Sequence, residues 1–194
     1  FCSPAGRNGS GGGGEEAGNG VSTSAAAAQS EETGNVAIGE TNFPDPIFRE
    51  FVKQFDTSPK DDILSQSELA AVKAISCGGQ GIGSLKGIER FTALENLDCS
   101  YNSLKELDVS DNTALTTLDC DNNQLTKLVL GDNTALTTLD CRSNQLTKLV
   151  LGDNTAPTTL NCSWNQLTKL DVSNNTALTR LYCGENQLTE LDVS

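Results

Sequence analysis

The side chains with the most chemical potential in this 194-residue chain are its thiols and its carboxylates, seven Cys and 26 Asp plus Glu. Such groups could supply nucleophiles, metal ligands, disulfides or paired general acids and bases. The chain contains no His, so a Ser-His-Asp triad, a Cys-His dyad and a His-ligated zinc are impossible within it. Its recurring acids, such as Asp98, Asp119 and Asp140, return once per repeated unit and so form a surface column rather than the walls of a cleft. No nucleophile stands beside a base. The expectation is a protein that is not an enzyme and carries no cofactor.

Spacing decides what the thiols are for. Cys99, Cys120, Cys141, Cys162 and Cys183 are each 21 residues apart, and Cys77 precedes Cys99 by 22. Each lies in a unit such as Leu115-Thr-Thr-Leu118-Asp-Cys120-Asp-Asn-Asn123-Gln-Leu125, which is the leucine-rich repeat pattern L-x-x-L-x-[L/C]-x-x-N-x-L with Cys at the third apolar position. The pattern recurs from Leu94, Leu136 and Leu178, and in the unit of Leu160 and Cys162, where Pro157 replaces the first Leu. Leu118 and Cys120 should point inward from a short strand, with Thr117, Asp119 and Asp121 outward. Stacking then builds a parallel sheet with a column of Asn, typified by Asn123, bonding backbone groups at the turn. Strands about 4.8 Å apart put neighbouring Cys within disulfide range, but in-register side chains on parallel strands point the same way, which suits a bridge poorly. Six reduced core thiols are expected, and no metal, because CxxC-type spacing is missing. Leu128-Val-Leu130-Gly-Asp-Asn133 echoes the first half-unit and reads as a second short extended segment on the back.

The elements around the repeats follow from composition. Residues 1–41 are rich in Gly, Ala, Ser and Glu and are expected to form a disordered tail or linker. Within it Cys2 has two readings: the acylated Cys of a bacterial lipoprotein tether, or a chance thiol. Residues 42–75 should form a helical cap. Asp45-Pro46 starts one helix carrying Phe48, Phe51, Val52 and Phe55 on one face, and Ser65 with Glu68 makes a capping box for a second that runs to about Lys73. The intervening Asp56–Glu68 resembles a damaged calcium loop, lacking the turn Gly and carrying Lys60 at a ligand position. Residues 76–194 are the repeats, expected to stop in mid-unit with an exposed apolar end. The absence of Met implies a processed product or a fragment.

The net charge of −13, without a basic cluster, argues against nucleic acid. No stretch approaches the roughly 18 apolar residues of a membrane-spanning helix, so no transmembrane segment is expected. From Phe43 to the end, the repeated LDC-x-x-NQLTKLDVS-x-NTAL units behind a helical cap resemble the internalin-type bacterial leucine-rich repeats, of the cysteine-ladder kind with 21-residue units. That resemblance implies a repeat solenoid with a concave parallel sheet, a short extended or irregular convex side and a small α-helical N-terminal cap. It also implies a secreted or surface-displayed bacterial protein, with or without a lipid or wall anchor, that binds host or bacterial surface proteins, often in adhesion. Two rivals stay open: a structural spacer or targeting repeat of a larger surface protein, and a carbohydrate-binding module whose partner is a glycan.

Solenoids bind through the outward columns of the sheet. The middle column reads Asp98, Asp119, Asp140, Asn161, Tyr182; beside it lie Arg142 and Arg180, and near the turn Tyr101, Trp164 and Glu185. Stacked Asp98, Asp119 and Asp140 favour a cation or a basic partner, and Trp164, Tyr101 and Tyr182 are of the kind that anchor interfaces. The candidate partner-binding set is therefore Asp98, Tyr101, Asp119, Asp140, Arg142, Trp164, Arg180, Tyr182 and Glu185. The competing reading is ordinary solvated repeat surface. Lys127, Lys148 and Lys169, beside Asp132 and Asp153 on the other half of the coil, are expected only to offset charge.

Overall fold

The computed structural model describes residues 34–57, 59–152 and 154–194. The expectations for Cys2 and residues 1–33, and the parts played by Ser58 and Asp153, lie outside them. The chain enters at β1 (Val36–Ala37), which pairs antiparallel with β2 (Ile63–Leu64). Val36 and Ile38 are buried. The cap therefore begins inside the stretch whose composition reads as tail, because two apolar residues among small ones suffice to pair and bury one short strand.

Helix α1 (Pro46–Val52) starts where Asp45 Oδ1 accepts the N–H groups of Ile47 and Phe48. Asp45 Oδ2 accepts the N–H groups of Gly83 and Ser84, which ties the cap to the first repeat. A 3-10 turn, Lys53–Phe55, prolongs the helix. Phe48 and Val52 are fully buried, and Phe43 packs edge-on against Phe48 at 6.0 Å. Phe55 meets Phe91 of the first repeat at 5.7 Å. A side chain at Gly87, whose φ is +106°, would collide with Phe43 and the Asn42 carbonyl. Only Gly fits there. Helix α2 (Gln66–Ala71) opens with the expected Ser65–Glu68 capping box but ends short of Lys73, at a Val72 cap of extended backbone. The next strand explains why: β3 (Ala74–Ser76) already belongs to the solenoid. The first coil thus starts slightly ahead of residue 76.

Six parallel strands, β3, β4 (Asn96–Asp98), β6 (Thr117–Asp119), β8 (Thr138–Asp140), β9 (Thr159–Asn161) and β11 (Arg180–Tyr182), stack in order to form the concave sheet. Register is one residue per repeat: Leu97, Leu118, Leu139 and Leu160 lie side by side, as do Asp98, Asp119 and Asp140. On the back, β5 (Glu106–Asp108) pairs with β7 (Lys127–Val129), and β10 (Lys169–Asp171) with β12 (Glu190–Asp192). The equivalent segment, 148–150, forms no strand, and Val150 is left 55% exposed. The next unit opens with Pro157 in the buried Leu position.

Between the two faces runs the core: the Leu columns and Cys77, Cys99, Cys120, Cys141 and Cys162, all essentially solvent-free. All six ladder thiols are free, and Cys183 is half-buried at the far end. Burial pushes the thiols of Cys77 and Cys162 up to about 12 and those of Cys99, Cys120 and Cys141 well above the ordinary value. They behave as small apolar side chains. At the last coil Leu181 and Leu188 are partly buried, while Leu191 and Val193 are exposed.

The Asn column does more than end strands. Asn123 Nδ2 donates to the carbonyls of Cys99, Cys120 and Asp121, while its Oδ1 accepts the Leu104 N–H of the preceding coil. Asn102, Asn144, Asn165 and Asn186 repeat the arrangement. Each side chain pairs a buried N–H and a buried carbonyl that no strand neighbour reaches. A second buried column, Asn112, Asn133, Asn154 and Asn175, went unread in the sequence. So did a ladder of hydroxyls, in which Thr116, Thr137, Thr158 and Thr179 each donate to the carbonyl one coil earlier.

Candidate functional site

The candidate residues stand on the concave sheet or on the corner that follows each strand. Strands three residues long hold alternation only as far as the second Leu; after the Cys the chain turns. The residue before each ladder Asn takes a left-handed conformation: Tyr101 (φ 54°), Asn122 (49°), Ser143 (53°), Trp164 (57°) and Glu185 (54°). This corner throws the side chain outward, so Trp164 and Tyr101 are each 62% exposed, and Tyr182, on its strand, is 53% exposed. These are all the Trp and Tyr in the chain.

The same corner corrects one expectation. Asp121 does not point out to solvent; its side chain is 2% exposed. Alternation would place it outward, but the turn beginning at Asn122 folds it under its neighbours. Arg142, one coil on, covers it: Nε and Nη2 donate to Asp121 Oδ2 at 3.0 and 2.8 Å, and Nε lies 3.7 Å from Asp140. Arg142 is therefore half-committed to an internal ion pair. The carboxylates beside it hold its guanidinium above its ordinary pKa.

The acidic column is only partly satisfied. Asp98 Oδ1 accepts from the Ser100 N–H and hydroxyl, and Oδ2 from Ser76 Oγ. Asp140 accepts from the Arg142 N–H and from Asn161 Nδ2. Asp119 keeps one donor, the Asp121 N–H. Partial burial, with Asp121, Asp140 and Asp98 close by, raises its carboxyl above the usual range. Across the register, Asn161 and Tyr182 continue the column without charge. Arg180, exposed, begins the strand of Tyr182, and Glu185 follows it beyond Gly184. The nine candidates thus form two zones: an acidic one over the coils of Asp98, Asp119 and Asp140, and an aromatic one over the last two coils. Tyr101 stands apart from Trp164 by three coils, about 14 Å at 4.8 Å each.

In the calcium-like loop, Asp62 adopts the left-handed turn (φ 60°), and the Asp56 carboxylate is spent partly on the Asp62 N–H. Glu68 accepts from Thr57 and Ser65, as a helix cap does. Among the described residues, no group of three His, Cys, Asp or Glu side chains could hold a metal. Two clefts lie on the back, about 400 Å³ beside Leu85, Glu89 and Glu106 and about 370 Å³ beside Val150 and Asn174, and a third of about 380 Å³ lies at the last coil beside Val172, Arg180 and Val193. In the first, Ser84 Oγ accepts the Lys86 N–H, and no hydrogen bond among the described residues joins it to the carboxylates that share the cleft. In the second, Lys169 bonds Glu190 at 2.9 Å on the next strand rather than an Asp of its own loop.

Comparison with known proteins bears on this geometry. No family model matches the chain. Over 71 residues it is 42% identical to Internalin J of Listeria monocytogenes serotype 4b (strain F2365), a match taking in 37% of this chain and 8% of that protein. The structure superposes with a TM-score of 0.74 on the functional domain of InlJ from Listeria monocytogenes, described as including a cysteine ladder; identity is 40%, over 82% of this chain and 35% of that one. It also superposes, at 0.69, on the internalin inlF from Listeria monocytogenes strain 4b F2365, with 25% identity over 79% of this chain and 46% of that one. The chain spans less than a tenth of the curated relative and under half of either solved structure.

Proposed function

We propose that this chain, which is an internalin-like leucine-rich repeat protein of the cysteine-ladder type, is a non-enzymatic recognition module that binds another protein through its concave face. It acts at the surface of a bacterium or in its secretions, in adhesion or host contact. One observation carries the reading: every Trp and Tyr of the chain is exposed, Tyr182 on the concave sheet and Tyr101 and Trp164 at the corner beside it. Two of them, Trp164 and Tyr101, sit at corners of positive φ, where bulky side chains are uncommon and Gly, Asn and Asp are preferred. The fold asks for no aromatic there, since Gly79 and Asn122 fill the same corner in other coils. Aromatic rings exposed against the backbone's preference are what an interface anchor looks like.

The test uses substitutions borrowed from neighbouring coils, Trp164→Asn and Tyr182→Asn, which leave the solenoid intact. Immobilised wild-type chain and variants are exposed to surface proteins from host epithelial cells and from bacteria. Proteins retained by the wild type and released by both variants support the reading. Identical retention by all three removes the concave face from recognition and favours a spacer.

A further inference from the structure

Residues 123–135 and 144–156 have the same sequence, Asn-Gln-Leu-Thr-Lys-Leu-Val-Leu-Gly-Asp-Asn-Thr-Ala. They do not share a structure. In the first, Lys127–Val129 is strand β7, paired with β5; in the second, 148–150 forms no strand. Local propensity is the same in both, so the cause lies outside the shared stretch. The very next residue differs: Leu136 follows one copy and Pro157 the other.

Proline has no N–H to give. The Leu136 N–H closes its turn by donating to the Asn133 carbonyl at 2.9 Å, and Leu115 and Leu178 do the same to Asn112 and Asn175. At Pro157 that bond is impossible, and the Asn154 carbonyl accepts Asn175 Nδ2 from the next coil instead. The back of the coil stands off from its neighbours. The Thr126 N–H donates to the Lys105 carbonyl and the Thr189 N–H to the Thr168 carbonyl, each at 2.9 Å. Among the described residues, the N–H groups of Thr147 and Thr168 form no such rung. A Cβ on Gly131 would lie 2.8 Å from Ser110 Cα, in the coil before it; one on Gly152 would meet only the Gly131 carbonyl oxygen, at 4.0 Å. The cleft of about 370 Å³ beside Val150 opens at this place. The back ladder is thus in two pieces, β5 with β7 and β10 with β12.

The concave side of the same coil is unbroken. Gln145 donates to Leu125, Gln166 to Leu146 and Thr158 to Thr137 through their backbones, and β8 pairs with β9 in register. We infer that residues 147–151, together with Pro157, act as a hinge: the coils up to β8 and the coils from β9 onward are two stiff parts that bend about the continuous concave sheet. In a solenoid each coil touches only its neighbours, so the array bends where the bonds between two coils are fewest. Spreading the back tightens the curve of the concave sheet, and closing it flattens that curve. Asp98, Asp119 and Asp140 lie on one part and Trp164 and Tyr182 on the other. The bend therefore sets the angle between the acidic and the aromatic zones, and it does so whether or not either zone binds a partner.

Nuclear magnetic resonance on the intact chain tests this. Thr126 and Thr147 have identical sequence neighbours, as do Val129 and Val150, so a difference in amide exchange within either pair is structural. Thr147 and Val150 are expected to exchange at least about tenfold faster than Thr126 and Val129, the factor that one backbone bond supplies. Residual N–H dipolar couplings should need separate alignment tensors for the strands up to β8 and for those from β9. Pro157→Leu, which restores the residue of the preceding unit, should slow Thr147 and Val150 and bring both parts onto one tensor. Leu136→Pro should speed Thr126 and Val129; if that variant does not fold, the wild type and Pro157→Leu decide alone. Equal exchange within both pairs, or one tensor for the wild-type chain, overturns the hinge. Fast exchange at Thr147 and Val150 that Pro157→Leu leaves unchanged overturns the part given to Pro157, and with it the inference.

Discussion

Asn144 and Asn133 are the same residue type, both buried, and should nonetheless differ sharply when cut to Ala. Asn144 Oδ1 accepts the Leu125 N–H at 2.9 Å, and its Nδ2 donates to the carbonyls of Cys120, Cys141 and Arg142. The carbonyls keep other donors: Asn123 and Asn165 reach those of Cys120 and Cys141, and the Asn122 N–H reaches that of Arg142. Leu125, fully buried, keeps none for its N–H. Orphaning it costs about 1–3 kcal/mol, and weakening the carbonyl set adds about 1 kcal/mol. Asn133 instead makes one bond, to the Val109 carbonyl, which also receives the Asn112 N–H. Its own Oδ1 is buried without a partner, so truncation removes a penalty as well as a bond. The cavity left is of the same size in both, at about 1 kcal/mol. Asn144→Ala should therefore lose about 3–5 kcal/mol and Asn133→Ala about 1 kcal/mol. Urea unfolding, followed by far-UV circular dichroism and Trp164 fluorescence, measures both. Losses equal within about 0.5 kcal/mol, or a larger one at Asn133, would refute the distinction drawn between the two ladders.

Three further outcomes follow from the same contacts. At pH 8 the half-buried Cys183 should react with a thiol reagent first among the ladder thiols, while Cys99, Cys120 and Cys141 wait for unfolding; equal rates in the folded protein would contradict the solvent-free ladder. Arg142→Ala strips the buried Asp121 of its cation and should cost about 2 kcal/mol, most of it restored by adding Asp121→Ser, the residue Ser100 and Ser163 supply in other coils; additive losses in urea midpoints would argue against that pairing. Asp119 has a carboxyl raised above 3.8 by burial and by neighbouring carboxylates, so the folded state binds its proton more readily than the unfolded chain does. Its charge lowers stability as pH rises through the folded pKa. Asp119→Asn should accordingly stabilise the protein at pH 7 and not at pH 3, and a gain that is the same at both would count against this.

The repeat was legible because one residue type per position is all that a stacked coil requires. Leu118, Cys120, Asn123 and Leu125 each answer a single demand, burial or a backbone bond, and they answer it again 21 residues later. The back face was half legible: the segment from Leu128 reads as extended and Lys127–Val129 is a strand, yet the matching residues 148–150 are not, although the sequence there is almost identical. The difference lies in contacts between coils, which no single unit contains. Asn112 and Asn133 were passed over because a buried Asn and a loop Asn look alike in sequence. Asp121 was misplaced for a related reason: alternation applies to a strand, and its strand had ended two residues earlier. At the candidate site the exposed rings are legible because Tyr101, Trp164 and Tyr182 stand at fixed offsets from the repeated Cys, on columns that face away from the core. The left-handed corners under Trp164 and Tyr101 became visible only in the backbone.

Site-specific photocrosslinking tests the central proposal most directly, because it reads proximity without requiring a variant to lose binding. A benzophenone side chain is placed at position 164, at position 182, or at position 150, where Val150 is equally exposed on the back of the solenoid. Each chain is irradiated in the presence of the surface proteins used for capture. The account predicts one common protein adduct from positions 164 and 182 and none from 150. Adducts from 150 alone, or equally from all three positions, would contradict recognition through the concave face.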